Sequence, residues 1–181
     1  MKFMKFMKLS VVIGFAIVLG ACGANKTVKS VDSTASSVDE SAIKVNVLKR
    51  VKVASGGMID QRVLNECQLI VQYPKHLKKL GADNGVQVNI VNSLDTNAAG
   101  YNLDVEFKQI VSARNVLTGH SKYTEIHLTL YKDGKKIAEA DGGRRSSGGA
   151  FSGFKSSCAV IGRTVKVNAQ DTVFWLKDPY D

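Results

Sequence analysis

Nowhere among its 181 residues does the chain carry an apolar run of the roughly 20 residues that a membrane-spanning helix needs. No helix that crosses a bilayer is therefore expected. Histidine is scarce. His76, His120 and His127 stand at no metal-ligand spacing, and neither H-E-x-x-H nor C-x-x-C occurs. Those absences argue against zinc hydrolases and dithiol oxidoreductases. The lack of a G-x-S-x-G elbow or a Cys-His constellation argues against the common nucleophilic hydrolases. No metal and no cofactor is expected. No internal repeat is evident. Acidic residues are in deficit, 16 against 25 Lys and Arg, giving a formal charge of +9.

What is present begins at the N-terminus. Lys2, Lys5 and Lys8 precede an apolar stretch from Leu9 to Leu19, followed by Gly20, Ala21 and Cys22. Together these resemble the signal peptide and lipobox of bacterial lipoprotein precursors. The resemblance implies that the Cys22 thiol is acylated, that the chain is cut before it, and that the new amino terminus is acylated too. Residues 1–21 would then be a signal peptide; a non-lipidated signal cleaved near Ala21 or Ala24 is the alternative. Two or three acyl chains hold a protein on a bilayer where one holds it weakly. By analogy with Gram-negative lipoproteins, Gly23 after the Cys, rather than Asp, implies transfer to the outer membrane, facing the periplasm.

Processing changes the composition. Loss of the three signal lysines from a charge of +9 leaves +6. In an envelope the polyanions within reach are lipid head groups, lipopolysaccharide phosphates and cell-wall polymers, so neither nucleic acid nor nucleotide is expected as a partner. A solvated basic surface that keeps the protein soluble is the alternative. With Cys22 lipidated, Cys67 and Cys158 are the remaining thiols, and an oxidising compartment favours a disulfide between them. Two buried free cysteines, or a redox pair, are the alternatives. Residues 22–42, rich in Ser, Thr and Val, read as a tether whose r.m.s. span is about 25 Å. Residues 43–181 suffice for one domain.

Periodicity then switches along that domain. Residues 43–53 alternate as a strand, ended by Ser55-Gly56-Gly57. From Asp60 to Leu80, Val63, Cys67, Ile70, Leu77 and Leu80 recur near the helical period, with Pro74 kinking the helix or opening a second one. Residues 86–91 form a strand. In the next, Tyr101, Leu103, Val105, Phe107, Val111 and Ala113 share one face, and Asn102, Asp104, Glu106 and Lys108 the other. Residues 123–132 direct Ile126, Leu128 and Leu130 inward and Glu125, His127, Thr129 and Tyr131 outward. Asp133-Gly134 predicts a tight turn into a hairpin partner at 135–140. After a glycine-rich loop, residues 155–176 carry Cys158, Ile161, Val165, Ala169, Val173 and Leu176 at helical spacing. The expected fold is a two-layer α/β sandwich: a mostly antiparallel sheet of about five strands with helices on one face. The order of these elements behind a lipobox resembles the fold of the curli secretion-pore lipoprotein and of the lipoprotein activators of penicillin-binding proteins. The likeness is one of layout over residues 43–176 and implies no residue roles.

Three candidate sites emerge. The run Gly148 to Ser156 approximates a phosphate-binding G-x-x-x-x-G-K-[ST] loop, but Phe154 separates Gly153 from Lys155. Arg144, Arg145 and Lys155 in and beside that loop could bind an anion or a partner; a solvated connection is the alternative. Glu125 and His127, near Asp104 and Glu106, could form an acid/base cluster or the wet face of a sheet. The reading these features support is a non-enzymatic binding or assembly lipoprotein contacting an envelope protein. The competing readings are a cell-wall-modifying hydrolase using Glu125 and His127, or a direct binder of anionic envelope polymers. Mass spectrometry of the membrane fraction should find Cys22 as the acylated first residue, and Cys22→Ser should leave an uncut precursor.

Overall fold

The computed structural model describes residues 43–115, 119–147 and 156–180. Cys22 with the signal and tether segments, and Lys155 with the glycine-rich run from Gly148, lie outside the described residues. The elements are β1 (Ile43–Leu48), β2 (Lys52–Val53), α1 (Gln61–Cys67), α2 (Leu69–Ala82), β3 (Val86–Val91), β4 (Tyr101–Asn115), β5 (Gly119–Lys132), β6 (Lys135–Ser146) and α3 (Ser157–Lys177). The sheet runs β3-β1-β4-β5-β6, with β2 beside β4 beyond the end of β1. β1 is parallel to both β3 and β4, and β2 is parallel to β4. The long antiparallel pairings β4-β5 and β5-β6 hold most of the sheet.

Helices cover one side only. Val45, Val47, Leu103, Val105, Phe107, Ile126, Leu128 and Leu130 point from the sheet into a core closed by Leu69, Tyr73 and Leu77 of α2 and Ile161, Val165, Ala169 and Val173 of α3. The result is a two-layer α/β sandwich with a mostly antiparallel sheet of six strands.

Four departures from the expected layout have local causes. The strand expected over 43–53 divides because its inward parity would bury Lys49; the chain swings that charge out and returns at Val51, which is 3% exposed. The helix breaks at Gln68, in the left-handed region at φ 50°, and not at Pro74, which lies inside α2. Proline at 74 cannot donate to the carbonyl of Ile70 one turn back. That carbonyl instead accepts the Val51 N–H at 3.2 Å, so the missing helix bond becomes an attachment for the β1-β2 connection.

The register of β4 on β5 shifts between Phe107 and Gln109. A bulge reverses the facing of every residue beyond it. Ile110 enters the core, whereas Val111 and Ala113, expected inside, face outward with Ala113 exposed. Finally, β6 continues through Gly142 and Gly143 to Ser146, so Arg144 and Arg145 belong to a strand and not to a loop. A Cβ at Gly143 would lie 2.5 Å from the Tyr123 hydroxyl, so glycine lets that ring cross the strand. The Asp133-Gly134 turn has φ 50° and 79°, the positive pair a two-residue hairpin requires.

Cys67 at the end of α1 and Cys158 in the first turn of α3 are disulfide-bonded, with Cα atoms 5.1 Å apart and a sequence separation of 91. In the loop-closure picture such a link stabilises the fold by about 4 to 5 kcal/mol. Urea unfolding of Cys67→Ala/Cys158→Ala should show a loss of that order.

Candidate binding faces

The outer face of the sheet has no covering layer among the described residues, and three of its lysines are paired with acids within it. Lys52 reaches Asp104 at 2.6 Å, Lys108 reaches Glu106 at 3.3 Å and Lys136 reaches Glu139 at 2.7 Å. The Lys136 hydrogen bond, with its charge, holds the Glu139 carboxyl below the ordinary carboxylate range. His127 lies directly between Glu106 and Asp141 on neighbouring strands. Its Nδ1 is 2.8 Å from Asp141 and its Nε2 is 3.4 Å from the Thr129 hydroxyl. Glu125 stands opposite Gln109, on the far side of the bulge from Glu106, and accepts from the Tyr123 hydroxyl at 3.2 Å. The four residues of the expected acid/base cluster thus share a face, but as a row in which Asp104 and Glu106 are occupied by lysines. Further along, Asn89 donates to Asn46 at 2.9 Å and Asn46 to Asn102 at 3.0 Å, an amide ladder across β3, β1 and β4.

A second polar row is buried. α3 places Thr164, Asn168 and Thr172 at four-residue intervals against the sheet and α2. Thr124 of β5 donates to Thr164 at 2.8 Å, and the Asn168 amide donates to the Thr124 hydroxyl at 3.0 Å. Thr172 donates to the Asn168 carbonyl at 2.8 Å and lies 2.7 Å from the Tyr73 hydroxyl of α2. Lys122 of β5, also buried, hydrogen-bonds Ser112. These bonds hold α3 in one position over the sheet. Helical spacing alone did not separate this inward polar row from a solvated one.

The outward side of the helices carries the imbalance of charge. α2 and α3 together contain six cations, Lys75, Lys78, Lys79, Arg163, Lys166 and Lys177, all exposed, and a single acid, Asp171. That acid is taken by Arg144 at 2.6 Å. Arg144 therefore lies on the helical side, while Arg145 is on the opposite face, 5.9 Å over the Tyr123 ring. The two arginines expected to act together do not share a face. His76, between the helices, is held below the usual imidazole range by partial burial and then by Lys166 and Lys79. No group of three or more His, Cys, Asp or Glu able to hold a metal occurs among the described residues.

No family model and no curated protein matches the chain. Solved structures do. The PelC dodecamer from Paraburkholderia phytofirmans is 12% identical over 71% of this chain and 87% of that one, with a TM-score of 0.43. Protein XCC0632 from Xanthomonas campestris is 12% identical over 75% and 83%, with a TM-score of 0.48. The lipoprotein GNA1162 from Neisseria meningitidis is 9% identical over 73% and 99%, with a TM-score of 0.43. At these identities no residue role passes from them to this chain.

Burial raises the Tyr73 pKa above the phenol's ordinary value of 10.0. The folded state then keeps a proton that the unfolded chain releases, so this stabilisation is complete below about pH 10 and is lost as pH rises further. Tyr73→Phe should cost about 1 kcal/mol at pH 7 through the lost hydrogen bond to Thr172. Its urea midpoint should also fall less steeply above pH 10 than that of the parent chain.

Proposed function

We propose that the chain is an envelope lipoprotein, anchored through acylated Cys22, that works without catalysis as a binding module and presents its α2-α3 face to an anionic partner. One observation carries the reading. Of the four lysine or arginine ion pairs among the described residues, three lie on the outer face of the sheet and the fourth joins Arg144 to Asp171; none takes up the six cations of α2 and α3. Matched charges add little long-range field; an unmatched cluster attracts polyanions and is attenuated by salt over about 8 Å at physiological ionic strength.

Phe174 and Val167, 50% and 38% exposed, lie on α3 among these cations. An apolar ring beside lysines suits an interface that is anionic outside and apolar beneath, as a lipid head-group layer or a partner protein's acidic rim is. A lipid at Cys22 would keep the face within tether length of such partners. Gly23 favours the outer membrane, facing the periplasm, as the place where this occurs.

The test uses residues 22–181 with Cys22→Ser, so that no acyl chain contributes. Binding to phosphatidylglycerol vesicles should weaken by about tenfold or more between 50 and 200 mM salt, and by a similar factor in Lys75→Glu/Lys79→Glu/Lys166→Glu. The pKa of His76, followed by NMR, should rise on binding as anions offset the neighbouring lysines. Equal affinity for phosphatidylcholine vesicles, or indifference to charge reversal, would count against the assignment.

A further inference from the structure

A cleft of about 620 Å³ opens where the carboxyl ends of β1 and β3 meet the break between α1 and α2. Its volume is that of an ordinary ligand site. Lys49 and Arg50 follow β1, Asn92 follows β3, and Asn65 and Gln68 come from the helix side. Leu64, Ile70 and Val71 supply the apolar lining.

Three features set this cleft apart. Lys49 and Arg50 have no acidic partner among the described residues. The amide side chains of Asn65, Gln68 and Asn92 make no hydrogen bond to any described residue. And Gln68 holds a left-handed backbone at φ 50°, a conformation that favours glycine, while projecting a long amide. The fold needs a helix break at that point; it does not need a glutamine there.

We propose that this cleft recognises an acidic peptide segment of a partner protein. Two cations match carboxylates. Side-chain amides, each both donor and acceptor, match peptide groups. An aliphatic side chain between the acids would rest on Leu64, Ile70 and Val71. A bare phosphate would leave that lining unused, and three aliphatic residues are too few for an acyl chain. The site is separate from the α2-α3 face and deepens the binding-module reading by giving one class of partner.

The experiment takes the full mature chain, acylated, in neutral detergent micelles at physiological salt. A fluorescein-labelled, end-capped peptide Glu-Asp-Leu-Asp-Glu is titrated by anisotropy, with Gln-Asn-Leu-Asn-Gln as the uncharged control. Saturable binding of the acidic peptide is expected, weakened about tenfold or more by Lys49→Glu/Arg50→Glu. Gln68→Gly relieves the left-handed backbone, so the fold is kept, and should weaken binding about threefold or more. Reversal of Lys75, Lys79 and Lys166 should leave the affinity within about twofold. Equal binding of the uncharged peptide, absence of saturation, insensitivity to the Lys49/Arg50 change, or loss on reversing the α2-α3 lysines would each overturn the assignment. None of these outcomes bears on vesicle binding by the α2-α3 face, which is measured separately.

Discussion

β4 pairs with β1 and β2 along one edge and with β5 along the other, and it changes face once, at the bulge between Phe107 and Gln109. A strand of this length cannot keep one apolar face against a helical layer unless its sequence alternates throughout. Here the sequence breaks step at Gln109, a polar residue where the alternation calls for an inward apolar one, and the bulge restores the fit by bringing Ile110 inward. The same shift separates Glu125 from Glu106 on the outer face and sets Lys108 beside Glu106. Core packing and surface chemistry are thus settled by one irregularity.

Each layer handles its polar groups differently. On the outer face of the sheet, cross-strand neighbours satisfy one another through short ion pairs and an asparagine ladder. Such exposed pairs contribute little stability, but they leave little net charge. Between the layers, threonine, asparagine and tyrosine form a buried hydrogen-bonded row, where a missing partner would be costly. On the outward face of the helices no such matching occurs. The cations of α2 and α3 therefore stand as an unpaired cluster on that surface.

Much of this was legible in the sequence, and what was not had physical reasons. Alternation in β5 and the Asp133-Gly134 turn located the hairpin because side-chain facing and turn geometry are local. The sandwich and its single helical side followed from strands with one apolar face. The bulge was not legible, since Val111 and Ala113 are as apolar as Ile110 and only pairing with β5 decides among them. Pro74 drew attention from the true break at Gln68 because the donor that replaces its missing N–H, that of Val51 to the Ile70 carbonyl, is supplied by tertiary structure. Arg144 and Arg145 looked like loop residues because two glycines precede them; in the fold Gly143 makes room for the Tyr123 ring. The basic helical face could have been found by noting that residues 69–82 contain no acid.

The position of β1 has a mechanical consequence. Any pull transmitted through the N-terminal segment enters the domain at Ile43, in a strand flanked by β3 on one side and β4 on the other. An edge strand loaded from one end can peel away bond by bond. β1 is held by β3 along its whole length and by β4 from Val45 to Val47, so peeling it away must break two ladders together over those residues.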